Sequence, residues 1–239
     1  MRTLSIRWDT VHRHGEAWIS HHRLRYRMFV ERQGWSVPHY ECMEYDQFDT
    51  PAATYILVVD EHDQAVGTAR LIPTTRPYMV ESLWPNLVES PLPHSDQIWE
   101  ASRFGCDRAL GAGRRRRVIG QLIQACQEFG VTQGITSFLA VMPSWVFQNV
   151  IAAHGCPVQP LGPAMSLHGH ATEAATIQVS RAVLDLVRAR TGLRQALKEA
   201  EQLQVGPASL SPALLGDDVP EREQDHRTLA AMSRLVDVP

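Results

Sequence analysis

Apolar positions recur at three- and four-residue intervals over residues 16–33. Trp18, Ile19, Tyr26 and Phe29 share one helix face with His22 and Arg25, and Gly34 offers a stop. Trp35 to Thr50 holds no period and reads as a long irregular loop, of the kind that often carries function. Tyr55–Val59 and Ala65–Ile72 are runs of strand type joined by Asp60-Glu61-His62-Asp63-Gln64, which predicts a β-hairpin. Pro73 to Pro77 interrupts, Met79–Leu83 suits a short helix, and Gln97–Phe104 reads as a third strand. The clearest helix is Arg114–Phe129, where Val118, Ile119, Leu122, Ile123, Cys126 and Phe129 make one stripe closed by Gly130. Ser137–Val141 is a fourth strand, and Ser144 is expected to cap a helix over Trp145–His154 that ends at Gly155. Thr176–Val179 reads as a further strand and Ser180 as the cap of a helix over Arg181–Arg190. This order predicts an α/β fold, a mixed sheet sandwiched by helices. From Val205 the chain turns to Gly, Pro and Ser and then to polar sequence, so residues 1–204 are expected to form the domain and 205–239 a linker and partly ordered tail.

Composition narrows the class without naming it. The 44% hydrophobic and 21% charged residues are those of a globular protein, and a formal charge of −3 gives no reason to expect nucleic acid as partner. Cys42, Cys106, Cys126 and Cys156 lie far apart with no C-x-x-C, which argues for a reducing compartment and against a disulfide or zinc framework. No apolar run approaches the roughly 20 residues that span a bilayer, and Met1–Arg7 lacks the apolar region of a secretory signal. A cytoplasmic enzyme with no membrane partner is the expectation.

The third strand carries the chemistry. A regular strand would turn Glu100 and Ser102 to one face and Trp99, Ala101 and Arg103 to the other. If Glu100 and Arg103 serve one site, the strand must bulge or splay from its neighbour between them. Upstream stand Arg25, Phe29, Trp35, Asp46, Asp49 and Arg70, each of which has a bland local reading as solvation, turn or core.

Together, Arg25-x3-Phe29-x5-Trp35, Asp46-x2-Asp49, Arg70 and Glu100-x2-Arg103 resemble the pattern of acyl-homoserine-lactone synthases, the bacterial autoinducer synthases of quorum sensing. Arg70-Leu71-Ile72-Pro73-Thr74-Thr75, Arg76-Pro77-Tyr78-Met79 and Glu100-Ala101-Ser102-Arg103-Phe104 strengthen the likeness, which covers about residues 20–190. Trp84 stands where the family usually has phenylalanine. The resemblance implies an N-acetyltransferase-like fold with a split between central strands. It also implies S-adenosylmethionine as a substrate rather than a cofactor, an acyl thioester on acyl carrier protein as donor, and release of methylthioadenosine. In that reaction Phe29 and Trp35 would face the sulfonium, Asp46 the ammonium, and Arg25 or Arg103 the carboxylate. Glu100 would take the amine proton, unless it only pairs with Arg25 or Arg103, and backbone N–H groups near Arg103 and Phe104 would hold the oxyanion. Arg70 joins Glu100, Arg103 and Asp46 among the catalytic residues the resemblance implies, and Asp49, Trp84 and Phe104 complete the substrate pocket. Met142 and Trp145, with Leu139, Val141, Val146 and Val150, would wall the acyl chain.

Two features bear on the donor. Arg114, Arg115, Arg116 and Arg117 open the long helix against its dipole, which suits docking of an acidic carrier protein or a solvated face. Arg108-Ala109-Leu110-Gly111-Ala112-Gly113 fits the R-x-x-G-x-G loop that holds the coenzyme A pyrophosphate in N-acetyltransferases. The rival function is therefore a coenzyme A-dependent N-acyltransferase acting on another amine, and a non-enzymatic binding module is the third. His168-Gly169-His170 reads as a solvated loop, and no metal is expected.

Overall fold

A computed structural model describes residues 1–167 and 169–197; the expected tail lies outside the described residues, as does His168. The elements run β1 (Arg2–Ile6), α1 (Gly15–Arg25), a π-helical turn (Tyr26–Glu31), β2 (His39–Tyr40), β3 (Met43–Glu44), β4 (Thr54–Val59), β5 (Ala65–Pro73), α2 (Met79–Leu83) and β6 (Ile98–Cys106). They continue with α3 (Ala112–Gln133), β7 (Ser137–Pro143), α4 (Ser144–Val146, prolonged by π and 3-10 turns to His154), β8 (Val158–Pro160), β9 (Met165–Leu167), β10 (His170–Gln178) and α5 (Arg181–Thr191). Eight strands form one sheet in the order β1-β4-β5-β6-β7-β10-β8, with β9 also on β10. Among the described strands β6 and β7 pair in parallel and the other strand pairs of this sheet are antiparallel.

Alternation along the strands divides the core into two layers. Ile56 and Val58 of β4 face α3 with Val118, Leu122 and Phe129, while Tyr55, Leu57 and Val59 face the other way with Leu4, Ile6, Phe48 and Met79. Gly67 lets α3 approach β5 closely, since a Cβ there would meet Val118 Cγ1 at 2.5 Å. Gly130 does the same inside the helix: its missing Cβ would lie 2.8 Å from Val179 Cγ1. The helix therefore runs through Gly130 rather than closing there, and Gly134 ends it in the left-handed conformation.

Several other expectations change. The first helix gives way after Arg25 to a π-helical turn, and β1 was not anticipated. Ser180 caps α5 by accepting from the Val183 N–H at 3.2 Å, whereas Ser144 lies inside α4 and Pro143 precedes the helix. The strand expected at Thr176–Val179 begins six residues earlier, at His170.

The predicted split is present. β6 pairs with β7 only from Ile98 to Glu100, against Ser137 to Leu139, although β6 continues to Cys106 and β7 to Pro143. Beyond that point the two backbones part, and a wedge opens in the middle of the sheet. The predicted bulge is there as well. Thr68 pairs with Gly105 and Arg70 with Ser102, so Ala69 stands opposite both Arg103 and Phe104. Arg103 takes φ +52 at this bulge, which returns its side chain to the face that carries Glu100, Ser102 and Arg70.

Candidate active site

Three arginines and three acids meet on that face in a closed alternating ring. Arg25 donates to Glu44 through Nε and to both oxygens of Asp49 through Nη1 and Nη2, each at 2.8 Å. Arg70 donates Nη1 to Asp49 at 2.9 Å and grips Asp46 with both terminal nitrogens, at 2.5 and 3.1 Å. Arg103 donates Nη2 to Asp46 at 2.6 Å and to Glu44 at 2.9 Å, with Nε on Glu44 at 3.1 Å. Each guanidinium thus bridges two carboxylates and each carboxylate two guanidiniums, with formal charges that cancel. Arg25, Glu44 and Arg70 are fully enclosed. Charges so far from water persist only when paired and hydrogen-bonded, and the closed ring meets both conditions.

Local structure aims each member. β2 and β3 form a two-residue hairpin whose central Glu41 and Cys42 have φ of 47 and 59, a turn that matches strand twist and points Glu44 inward. Asp46 and Asp49 lock their own loop, since the Asp46 N–H donates to Asp49 and the Phe48 N–H to Asp46, both at 2.9 Å. Tyr55 on β4 donates its hydroxyl to Asp49 at 2.7 Å, and Ser102 accepts from Arg70 Nε at 3.2 Å. Phe29 lies under the Arg103 guanidinium at 5.3 Å and stacks on Trp35 at 5.1 Å.

The electrostatics follow from this packing. Burial would raise the Asp49 carboxyl, but the Arg25 hydrogen bonds and the charges of Arg25 and Arg70 hold it well below the usual range. Asp46 is lowered in the same way by Arg70 and Arg103 against its burial. Glu100 goes the other way. It is buried, and that burial raises its pKa even though backbone N–H groups of Val80 and Met79 favour its charged form. Its Oε1 accepts from the Val80 N–H at 2.8 Å, while its Oε2 is buried with no partner. Glu100 therefore does not pair with Arg25 or Arg103; Glu44 occupies that structural place.

Not every expected residue joins the ring. Phe104 packs its side chain against the α3 layer, on the opposite face of the sheet from Arg103. Trp84 is half-buried and packs against the apolar cluster that includes Met79 and Ile72. The expected acyl wall is divided by the alternation of β7. Leu139 and Val141 face Tyr78 and Val80, whereas Met142, with Val146 and Val150, faces the α3 layer. Trp145 is 56% exposed. Of the four-arginine run, Arg114, Arg116 and Arg117 are exposed, and Arg115 donates to the carbonyls of Arg108 and Leu110. Gly169 and His170 lie at the turn into β10.

Sequence reasoning missed Glu44, Tyr55 and Phe48, which lies beneath Arg70 at 5.8 Å. Glu44 had a signal. It stands two residues before Asp46, on the same side of an extended segment, but in a loop without a period, where an acid reads as solvated.

A mixed sheet split between parallel central strands, with charged residues gathered beside the wedge, is a fold of the N-acetyltransferase type. A putative N-acetyltransferase from Lactobacillus plantarum shares that fold, with a TM-score of 0.50 at 18% identity over 75% of this chain and 100% of its own. Residues 11–187 match the autoinducer synthase family model; the chain belongs to that family and is an acyl-homoserine-lactone synthase. It is 33% identical over 164 residues to the acyl-homoserine-lactone synthase of Acinetobacter nosocomialis, covering 65% of this chain and 88% of the relative. It is also 33% identical over 181 residues to the isovaleryl-homoserine lactone synthase of Bradyrhizobium diazoefficiens, covering 75% and 80%. Among solved structures, a CoA-dependent acyl-homoserine lactone synthase, BjaI, with MTA superposes with a TM-score of 0.77 at 30% identity, over 82% of this chain and 92% of that one. Among the described residues no helix is long and apolar enough to cross a membrane.

Proposed function

We propose that this enzyme joins the amine of S-adenosylmethionine to an acyl thioester beside the arginine–carboxylate ring and then closes the lactone, releasing methylthioadenosine. The observation that carries the reading is Glu100, a buried carboxylate with a raised pKa and an unpartnered oxygen next to a wedge in the sheet. Such a group is a stronger base than a solvated carboxylate once ionised. Asp46 suits the ammonium less well than the sequence implied, because both its oxygens are already held by Arg70 and Arg103. In this reading Glu100 Oε2 receives the ammonium and takes its proton. The freed amine attacks the thioester carbonyl, a C–N bond forms, the C–S bond breaks, and the thiol leaves with a proton. Backbone N–H groups at the Arg103 bulge, on the open edge of β6, suit the oxyanion. The substrate carboxylate then attacks the carbon bearing the sulfonium, a C–O bond forms and neutral methylthioadenosine departs, with orientation supplying most of the help. Trp35 stacked on Phe29 offers the sulfonium an aromatic face. S-adenosylmethionine is consumed as a substrate, and the scheme calls on no cofactor.

The donor thioester is read first as acyl carrier protein, on the exposed cations Arg114, Arg116 and Arg117. A second reading, coenzyme A, is favoured by Gly111 and Gly113, where a Cβ would meet nothing within 4 Å, so the N-terminus of α3 stays open above Arg108. It is also favoured by the likeness to CoA-dependent BjaI. The test is a panel of acyl carrier protein and coenzyme A thioesters with S-adenosylmethionine, read by mass spectrometry of the organic extract. Acyl-homoserine lactone with equimolar methylthioadenosine is expected, and the better donor identifies the carrier. No lactone from any donor would remove the reading.

A further inference from the structure

We propose that the Met79 thioether is a placeholder: it fills the seat of the substrate carboxylate between Arg70 and Arg103 and swings out when S-adenosylmethionine binds. The inference rests on the reading above and places one end of its substrate.

Accounting for the guanidinium N–H groups leads to it. Every nitrogen of Arg25 is engaged by a carboxylate. Arg70 Nε meets Ser102, and its Nη1 meets Asp46 and Asp49. Arg103 Nε and Nη2 meet Glu44 and Asp46. What is left points at sulfur. Arg70 Nη2 lies 3.1 Å from Met79 Sδ as well as 3.1 Å from Asp46, and Arg103 Nη1 lies 3.4 Å from Met79 Sδ. A thioether is a weak acceptor, whereas a carboxylate on the same donors makes charge-assisted bonds about twice as strong. Two cations converging on a poor acceptor in a site otherwise built of ion pairs mark a position suited to an anion.

The neighbouring groups select which anion. The Glu100 oxygen without a partner belongs to the same carboxylate that accepts from the Val80 N–H, one residue after Met79. Seat and base are therefore adjacent, and an α-amino acid head carries its carboxylate and ammonium on one carbon. The carboxylate fits the two arginines and the ammonium fits Glu100. The sulfonium at the far end of the same molecule is left to the aromatic faces of the Phe29–Trp35 stack. One carboxylate oxygen on the guanidiniums leaves the other for ring closure. Met79 is 6% exposed and unbranched, so it both fills the seat and has rotamers with which to leave it. It acts as a positioning residue, because it competes with substrate for the groups that hold it.

Two variants push in opposite directions. Met79→Leu keeps the bulk and removes the acceptor, so the free enzyme loses a competitor for the arginines. Its Kd for S-adenosylmethionine by titration calorimetry is expected to fall three- to tenfold. Met79→Gln supplies a stronger resident acceptor, and its Kd is expected to rise tenfold or more while the thermal midpoint of the free enzyme rises. Equal Kd in wild type and both variants overturns the inference. So does a raised KM for the acyl donor without any change for S-adenosylmethionine, which would make Met79 a wall of the acyl pocket. If the leucine variant does not fold, the glutamine variant decides alone. Wild type that binds no S-adenosylmethionine at all would instead sink the functional reading on which the inference rests.

Discussion

Replacing Glu44 by Gln isolates what the ring contributes to stability. The change keeps the shape of the side chain and removes one negative charge from a fully enclosed position. One carboxylate oxygen becomes an amide NH2, so either Arg25 Nε or Arg103 Nε faces a donor in place of its acceptor while Arg103 Nη2 keeps Asp46, and the ring is left with an uncompensated positive charge. Removing one partner of a buried ion pair costs about 3–5 kcal/mol, because the remaining charge has been taken from water without its counterion. That is a large part of the roughly 5–15 kcal/mol by which a domain is stable. At about 2–4 °C per kcal/mol for a chain of this size, the melting midpoint should fall by about 6–20 °C. Calorimetry of wild type and variant measures the drop. The exposed pair Arg2–Asp63 is the control, with both partners nearly half exposed. Asp63→Asn tolerates its φ of +60 and should shift the midpoint by the equivalent of about 1 kcal/mol or less. A Glu44→Gln midpoint within about 2 °C of wild type would refute the reasoning, since the enclosed charges would then not depend on one another.

Other consequences are separable. Burial, with the Arg25 charge beside it, pushes the His22 imidazole down to about 4. The unfolded chain binds a proton near 6.5 that the folded chain refuses until about 4, so stability present above pH 6.5 is lost as pH falls through that window, by about 3 kcal/mol in all; His22→Gln should flatten urea-denaturation stability between pH 6.5 and 4, and an unchanged slope would contradict this. Glu100 is raised, so its contribution is full at low pH and is lost as pH rises through its folded value; Glu100→Gln should raise the thermal midpoint at pH 7.5 and not at pH 4. Arg114 and Arg116 are exposed while Arg115 is tied to the loop, so an Arg114/Arg116 alanine pair should raise KM for an acyl carrier protein donor in a salt-sensitive way; equal KM at 50 and 300 mM salt, as ~Debye-length arguments define those conditions, would show that the patch does not dock it.

Elements with a strong period were legible in the sequence. The β4–β5 hairpin and the α3 stripe stand close to where the residues put them, because one buried face forces one pattern. β1 was missed because the polar Thr3 and Ser5 are buried along with Leu4 and Ile6, which blurs any polar face. β8 and β9 are three-residue strands with exposed positions and proline nearby, too short to show alternation. The bulge was legible only through chemistry. Strand parity put Glu100 and Arg103 on opposite faces, and a common site required one extra residue between β5 and β6. Glu44 was hidden because it lies in a stretch without a period, where an acid reads as solvated. Which acid joins the ring and which stays unpaired depends on where the β2–β3 hairpin and α2 come to rest, and tertiary packing decides that.

Turnover by the Glu100→Gln variant tests the central claim most directly. Glutamine keeps the bond from the Val80 N–H and removes the proton acceptor. With saturating S-adenosylmethionine and acyl thioester, the variant should form lactone about 10²–10⁴-fold more slowly. Lactone formation at the wild-type rate would show that the buried carboxylate beside the ring is not the base.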